Sequence, residues 1–197
     1  MKKYVRLFAA VTVLLLLAGC GRETLPEVSQ APSLNQQLTG PLSLGDAMPD
    51  LTVTTAKGET LTLSELLQQK KVVVLNLWYA DCIWCIREFP VMEVAYQRYR
   101  EDVEILALNP FDSAADIAAF QQEHSLSFPM ASCSRDLAMA LGVNGYPTSV
   151  VVDRDGVICM IHPGAVTDVE VFNRLFDTFT ADDYSRKLYR GMADLFG

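Results

Sequence analysis

The segment Trp78-Tyr79-Ala80-Asp81-Cys82-Ile83-Trp84-Cys85 decides the fold, because it follows directly on an almost continuously apolar run over 72–78. A run of that length is typical of a parallel strand that is buried on both faces. From Cys82 to Arg100, apolar side chains recur at helical spacing and predict a long helix. The two cysteines therefore lie where a buried strand ends and a helix begins.

The spacing of Cys82 and Cys85 suits thiol–disulfide exchange. A cysteine at a helix N-terminus lies beside unpaired backbone N–H groups and the positive end of the helix dipole, which favour its thiolate. Cys85 lies one turn later on the same face, so the two sulfurs can bond to each other. The Cys82 thiolate would attack a substrate disulfide, and Cys85 would then attack the mixed disulfide and release the reduced substrate.

Half of a zinc site is the alternative interpretation of this spacing. The sequence contains no second close pair of cysteines, since Cys133 and Cys159 stand alone. His124 and His162 do not lie at ligand-like spacing either. We therefore predict redox chemistry that uses no metal and no other cofactor.

Strand-like and helix-like patterns alternate along the chain and predict an α/β three-layer sandwich with a central mixed sheet. Active groups of such sheets collect at the carboxyl ends of the parallel strands, which is where Cys82 is expected. The predicted elements are a hairpin over 52–62, a helix capped by Ser64, the strand over 72–78, the helix over 82–100, a strand over 103–108, a helix from Ser113 to Glu123, a strand over 128–131, a helix over 135–141, a hairpin around Asp155-Gly156 and a helix from Thr167 to Phe179.

Residues 1–19 have the pattern of an export signal. Three cations, at Lys2, Lys3 and Arg6, precede an apolar run over 7–18. That run is too short to cross about 30 Å of hydrocarbon comfortably, and its length is typical of the apolar core of a signal peptide. The pattern therefore predicts export from the cytoplasm.

The end of this segment, Leu17-Ala18-Gly19-Cys20, resembles the lipobox of bacterial lipoproteins, in which the cysteine is lipidated and becomes the new N-terminus. A plain signal peptide, or a short anchor with a chance cysteine, is the alternative. The predicted organisation is a signal peptide over 1–19, a lipid on Cys20 with a flexible tether over 20–41, one domain over 42–180, and a helical extension over 181–197.

The charge of the chain argues against nucleic acid as a partner. The net charge is −8, and removal of the three cations of the signal peptide makes it −11. Such a domain is repelled by nucleic acid and by anionic lipid headgroups. We therefore expect the lipid on Cys20 to hold the protein at the bilayer.

The motif resembles the thioredoxin superfamily, in which a tryptophan precedes the first cysteine by four residues and a proline kinks the helix eight residues after it. Trp78 and Pro90 occupy these positions. The segment Gly145-Tyr146-Pro147-Thr148 looks like the cis-proline loop of the superfamily. The resemblance implies that Pro147 is cis, that it lies against the two sulfurs, and that its loop pairs with an extended substrate peptide.

Within the superfamily the chain is similar to the extracytoplasmic, membrane-tethered reductases of the TlpA/ResA type. Asn76 stands where cytoplasmic thioredoxins have a buried aspartate, and Glu88 matches a glutamate that the tethered reductases keep near their cysteines. The helix and strand between Leu108 and Ala131 correspond to the insertion of that group. The resemblance implies a thioredoxin-like sandwich in which Glu88 relays protons to or from Cys85. An exposed Glu88, paired along its helix, is the alternative.

Four residues are expected to contact substrate by this resemblance and by their places around the cysteines: Trp78, Trp84, Tyr146 and Pro147. Two features depart from the usual thioredoxin motif. The residues between the cysteines are Ile83-Trp84, and an acid, Asp81, precedes Cys82. An adjacent carboxylate opposes formation of the Cys82 thiolate, against the effect of the helix dipole.

The resemblance implies an enzyme that reduces disulfides in exported proteins, with clients such as apocytochrome c or methionine sulfoxide reductase. Its electrons would come from a thiol donor in the membrane. An oxidant or isomerase of the same fold, and a tethered copper-binding module, are the alternatives. Peroxiredoxin chemistry is disfavoured, because it needs Thr or Ser three residues before the reactive cysteine and Tyr79 occupies that position.

Cys133 and Cys159 are expected on opposite sides of the sheet as two separate buried thiols. A structural disulfide between them, or a place for Cys133 near the active face as an extra redox partner, stays open at this point.

Overall fold

The computed structural model describes residues 41–186 and residue 189. The predicted signal peptide, Cys20 and all of the predicted tether except its last residue lie outside the described residues. Within the described part, no helix is both long enough and apolar enough to cross a membrane.

Seven strands and five helices alternate along the described chain. The strands are β1 (Thr52–Thr54), β2 (Thr60–Thr62), β3 (Val72–Leu77), β4 (Val103–Asn109), β5 (Met130–Ser132), β6 (Thr148–Asp153) and β7 (Ile158–Pro163). The helices are α1 (Leu63–Gln69), α2 (Ile83–Tyr99), α3 (Ala114–Glu123), α4 (Arg135–Ala140) and α5 (Val169–Thr180).

The predicted central mixed sheet is confirmed. Its strands lie in the order β5-β4-β3-β6-β7, in which β3, β4 and β5 run parallel and the pairs β3–β6 and β6–β7 are antiparallel. The predicted N-terminal hairpin is formed by β1 and β2. The helix and strand of the predicted insertion are α3 and β5.

Strand β3 lies in the middle of the sheet, and every one of its residues is buried. Successive side chains of a strand point to opposite faces. Val72 and Val74 therefore join a core with residues of α2, α3 and α5, whereas Val73 and Leu75 join a second core with residues of β1, α1 and α4. The apolar run thus holds three layers together, as its lack of polar alternation predicts.

Helix α2 begins directly after Cys82, the N-cap residue, and extends for 17 residues. Its buried residues, which recur every three or four positions and face the sheet, are Cys85, Glu88, Phe89, Met92, Ala95 and Tyr96. Pro90 lies inside the helix and has no N–H to donate to the carbonyl of Ile86. The cysteine pair is therefore part of the helix face that packs on β3.

Two predicted helix caps are wrong. Helix α1 begins after Thr62, and Ser64 instead donates its N–H and its hydroxyl to Asp50, at 3.0 and 2.8 Å. Helix α5 is capped by Asp168, whose side chain accepts from the N–H of Glu170 at 3.0 Å. In both cases several polar residues precede the helix, and packing of the preceding loop decides which of them caps it.

The cap of α3 is as predicted, because Ser113 accepts from the N–H of Asp116 at 3.2 Å. Of the predicted helical extension over 181–197, the structure describes residues 181–186, which contain a turn, and Tyr189, which forms an isolated bridge with Met160. The rest of that prediction lies outside the described residues.

Trp78 and Trp84 differ in burial, so replacing each of them by alanine tests how the domain is packed. Trp78 is fully buried, so replacement by alanine removes core contacts and leaves a cavity, which costs about 3–5 kcal/mol. Trp84 is 53% exposed and stacks only under Arg87, so the matched Trp84→Ala change costs about 1 kcal/mol or less. Denaturant unfolding with the disulfide intact measures both. Equal losses in the two variants would contradict this account of the core.

Candidate active site

Cys82 and Cys85 are joined in a disulfide, and their Cα atoms are 5.2 Å apart. The Sγ atom of Cys82 accepts a hydrogen bond from the backbone N–H of Cys85 at 3.1 Å. Cys82 keeps 3% of its surface exposed, whereas Cys85 is fully buried. After reduction, the same N–H group and the helix dipole would stabilise a thiolate on Cys82. This order of exposure agrees with Cys82 as the attacking residue and Cys85 as the resolving one.

The disulfide lies at the end of the sheet where β3 and β4 have their carboxyl ends, and three loops meet there. Leu77, the last residue of β3, pairs with Leu108 of β4 and with Thr148, the first residue of β6. The loop before Cys82, the loop after β4 and the loop with Pro147 therefore leave the sheet side by side. Cys82 was predicted from the sequence at this end of the sheet, where the parallel strands have their carboxyl ends.

Asn109 and Asp112 hold the loop before Cys82, a role that was not predicted from the sequence. The Asp112 carboxylate accepts from the backbone N–H of Ala80 at 2.8 Å and from the Asn109 side-chain amide at 2.7 Å. The Asn109 carbonyl oxygen in turn accepts from the N–H groups of Phe111 and Asp112, each at 2.9 Å. The Asn-Pro-Phe-Asp run after a buried strand was the available signal, since Asn and Asp commonly cap such turns.

The peptide bond between Tyr146 and Pro147 is cis, as the resemblance implied. Pro147 is buried, and its carbonyl accepts from the N–H of Gly164 at 2.8 Å. The Tyr146 ring packs edge-to-face on Tyr79 and on Phe111, with centroids 5.5 and 5.4 Å apart. Since Tyr79 is three residues before Cys82, these contacts hold the loop beside the cysteine motif.

The prediction that Trp78 contacts substrate is corrected by its position. The ring is fully buried and packs against Phe89 and Phe120, with centroids 5.1 and 4.7 Å away. A side chain without exposed surface supports the motif from below and is not available to a substrate. The sequence position of an aromatic residue at the end of a strand does not reveal whether its ring points into the core or outward.

Trp84 has the exposure that a contact with a partner requires. Its ring lies beneath the guanidinium group of Arg87, 4.7 Å from the ring centroid. Ile83, the other residue between the cysteines, is 58% exposed. Both residues between the cysteines are thus exposed apolar side chains that directly adjoin Cys82 and Cys85 in the chain.

Glu88 is buried, with 1% of its surface exposed, so the alternative of an exposed, helix-paired glutamate is excluded. One carboxylate oxygen accepts from the backbone N–H of Val166 at 2.9 Å, and the other accepts from the side-chain amide of Asn76 at 3.0 Å. Burial raises the pKa of Glu88 to about 7, although both hydrogen bonds act in the opposite direction. Glu88 can therefore gain or lose a proton near neutral pH, one turn beyond Cys85.

The other two cysteines of the described residues, Cys133 and Cys159, are free thiols, and the expectation that both are buried is correct for Cys159 but not for Cys133, which is half-buried. Cys133 follows β5 and Cys159 lies in β7, at opposite edges of the sheet, so a disulfide between them is excluded. Burial raises the pKa of both thiols to about 12. Because the thiolate is the nucleophile, Cys133 is poorly suited to act as an extra redox partner at neutral pH. In the described part of the chain, no group of three or more Cys, His, Asp or Glu side chains is arranged to hold a metal ion.

Comparison with known proteins agrees with this geometry. Residues 44–161, more than half of the chain, match the model of the AhpC/TSA family. The chain belongs to this family. The thiol-disulfide oxidoreductase ResA of Bacillus thuringiensis (strain Al Hakam) is 32% identical over 155 residues, which cover 78% of this chain and 85% of that protein. The thioredoxin-like protein YneN of Bacillus subtilis (strain 168) is 32% identical over 66% of this chain and 78% of its own length.

Solved structures show the same fold. A thiol:disulfide interchange protein of the thioredoxin family from Chlorobium tepidum superposes with a TM-score of 0.62, at 18% identity, over 71% of this chain and 99% of that one. With its ResA relatives and this fold, the chain is a thioredoxin-like, ResA-like thiol–disulfide oxidoreductase. Its redox-active pair is Cys82 and Cys85, and Tyr79 keeps an aromatic ring in the position where peroxiredoxin chemistry needs Thr or Ser.

The pKa of Glu88 predicts a pH-dependent stability. Because burial raises this pKa from 4.5 to about 7, the folded protein keeps the Glu88 proton over a pH range in which the unfolded chain has lost it. The resulting stabilisation is complete below about pH 4.5 and is lost as the pH rises towards 7. It amounts to roughly 3 kcal/mol, at about 1.4 kcal/mol for each unit of pKa.

Glu88→Gln removes this ionisation while keeping the size of the side chain. The unfolding free energy of the wild type should fall by roughly 3 kcal/mol between about pH 4.5 and pH 8 because of this ionisation. The variant should lack this part of the fall. Denaturant titrations with the disulfide intact measure the difference at each pH. A difference that does not change with pH would contradict the buried, proton-binding state of Glu88.

Proposed function

We propose that this oxidoreductase reduces disulfides in exported protein clients from an anchored position outside the cytoplasmic membrane. The proposal depends mainly on the placement of Cys82, whose Sγ caps the first turn of α2 and accepts the N–H of Cys85. That placement supplies a nucleophile on the client side and a resolving cysteine behind it. The relatives named thiol-disulfide oxidoreductase ResA support the same class of reaction.

Reduction of a client disulfide would proceed in two thiol–disulfide exchange steps. The Cys82 thiolate attacks one sulfur of the client disulfide, so a mixed disulfide forms and the other client sulfur leaves as a thiolate. Cys85 then attacks the Cys82 sulfur, and the second client sulfur leaves. Two electrons have passed to the client, and the Cys82–Cys85 disulfide has formed.

Glu88 would serve the second step as a proton acceptor. Cys85 is fully buried and attacks as a thiolate, so its proton must leave to a group inside the domain. The Glu88 carboxylate is on the same buried helix face, and its pKa of about 7 suits it to take that proton and release it later. Return of the pair to the dithiol would require a thiol donor in the membrane.

The surroundings of Cys82 favour the reducing direction. Strong oxidants of this kind owe their potential to a highly stabilised thiolate in the reduced form. Here Cys82 is nearly buried and Asp81 precedes it, and both oppose the thiolate. The reduced form is thus stabilised less, which makes the pair a better donor of electrons.

The reduction potential of the Cys82–Cys85 pair tests the direction. We expect a value closer to about −270 mV, as in thioredoxin, than to about −120 mV, as in strong oxidants of this fold. Equilibration of the full chain with a glutathione or dithiothreitol buffer, followed by counting of free thiols, measures it. A value near about −120 mV would replace the reductase with an oxidant.

Trapping identifies the clients. In Cys85→Ser the mixed disulfide on Cys82 cannot be resolved, so client adducts should accumulate, and they should disappear on addition of reductant. The double variant Cys82→Ser/Cys85→Ser should form none. The matched control adds Cys133→Ser to Cys85→Ser, and the adducts should stay unchanged, because burial raises the pKa of the Cys133 thiol and disfavours its thiolate. By resemblance, apocytochrome c and methionine sulfoxide reductase are the clients to look for first.

Anchoring at Cys20 requires its own measurement. We propose that Cys20 carries lipid after removal of residues 1–19, which is supported by the lipobox-like Leu17-Ala18-Gly19-Cys20 and by the apolar run before it. Labelled fatty acid supplied to bacteria that express the chain should enter the wild type and Cys133→Ser, but not Cys20→Ala. Incorporation into Cys20→Ala, or none into the wild type, would contradict the anchor.

A further inference from the structure

The Asn76 side chain lies between Glu88 and Ser149 and uses only one end of its amide. Its Nδ2 atom donates one hydrogen to the Glu88 carboxylate and one to the Ser149 hydroxyl oxygen, both at 3.0 Å. Its Oδ1 atom is buried and has no hydrogen-bond partner among the described residues. A buried amide oxygen without a partner is costly, so this arrangement calls for a physical reason.

The three side chains are held together by the register of the sheet and by α2. Asn76 of β3 and Ser149 of β6 are directly paired, so both side chains point to the face that α2 covers. Asn76, Ser149 and Glu88 are all buried. A change in the protonation state of Glu88 therefore acts first on the hydrogen bonds that it makes with Asn76 and Val166.

When Glu88 takes up a proton, the carboxyl oxygen that carries it needs a hydrogen-bond acceptor in place of a donor. A carboxylate only accepts hydrogen bonds, whereas a neutral carboxylic acid has an O–H that must donate. An amide has a donor end and an acceptor end of almost the same shape, and rotation by a half-turn exchanges them. After such a rotation Oδ1 of Asn76 would occupy the place of Nδ2, facing Glu88 and Ser149.

The Ser149 hydroxyl fits both orientations, because a hydroxyl accepts in one and donates in the other. The N–H of Val166 can stay on the second Glu88 oxygen throughout, since that oxygen accepts in both protonation states. The two hydrogen bonds of the Asn76 amide are thus kept with their direction reversed, and the hydrogen bond from Val166 keeps its direction. Asp in place of Asn76 could not donate to the carboxylate, and Leu could neither donate nor accept.

We propose that Asn76 and Ser149 are positioning residues whose hydrogen bonds reverse when Glu88 takes up or releases its proton. This inference rests on the proposed function, in which Glu88 accepts the proton of Cys85, and it adds the means by which a buried carboxyl group does so without losing its partners. The Oδ1 atom of Asn76 then lacks a partner in the described part of the chain because the amide must be able to turn either end toward Glu88, whether Glu88 is ionised or protonated.

Other titratable groups surround this cluster and must be separated from Glu88. Cys82 and Cys85 precede it on α2, His162 of β7 pairs with Ser149, and Asp168 begins α5 after the Val166 loop. Burial lowers the pKa of His162 below its usual value, so its titration has to be distinguished from that of Glu88. Asp153 and Lys71 lie at or beyond the far ends of β6 and β3.

The test follows the side-chain amide of Asn76 by NMR in the full, 15N-labelled chain with the disulfide intact, so that the cysteines do not titrate. The amide resonances should move through a single transition that coincides with the titration of the 13C-labelled Glu88 carboxyl group. In Glu88→Gln the transition should vanish, with the amide fixed in the orientation of the low-pH wild type. In the matched control His162→Gln the transition should remain.

Resonances that stay constant with pH, or a transition that is lost in His162→Gln, would overturn the proposal. As a second measurement, Asn76→Leu should raise the pKa of Glu88 by about one pH unit, a tenfold change in its acid dissociation constant, because the ionised form loses a charge-assisted donor. An unchanged Glu88 pKa in a folded Asn76→Leu would also overturn it. If the Cys85→Ser variant instead formed no client adduct at all, the proposed function would fail and not this inference.

Discussion

The hydrogen bond from the N–H of Cys85 to the Sγ atom of Cys82 joins the chemistry of this protein to its fold. Helices usually begin with Ser, Thr, Asp or Asn, whose oxygen accepts one of the unpaired N–H groups of the first turn. Here the reactive sulfur takes that role at 3.1 Å. Any change in where α2 begins would therefore move the sulfur. The packing of the helices on the sheet keeps the N-terminus of α2 next to the carboxyl end of β3.

A second constraint is the burial of a carboxyl group beneath the cysteine pair. Cys133 and Cys159 show how strongly burial acts on an acid in this domain, since burial is the largest cause that raises the pKa of each thiol to about 12. Glu88 is buried too, but it keeps the N–H of Val166 and the amide of Asn76 as partners, and its pKa is about 7. Partial compensation leaves this group able to exchange protons at neutral pH.

The surface around the sulfurs is built from segments that are far apart in the chain. Tyr79, Phe111 and Tyr146 come from the ends of three different loops and meet edge-to-face, with ring centroids 5.4–5.6 Å apart. Asp112 adds a hydrogen bond to Ala80, which ties the loop after β4 to the motif. The position of Cys82 is thus determined by contacts from the loop after β4 and from the loop with Pro147.

The sequence by itself determined the mixed α/β sandwich, the Cys82–Cys85 pair at a strand end, the cis Pro147 and the place of Glu88 one turn beyond the pair. These follow from local features: an apolar run, helical spacing, a two-residue gap between cysteines, and motifs that resemble a known family. Only the tertiary structure decided that Trp78 is buried while Trp84 is exposed, that Asp112 holds the motif loop, and that Asn76 and Ser149 flank Glu88. Those facts depend on strand register and on which face of a helix packs inward, because both bring together residues that are distant in the chain.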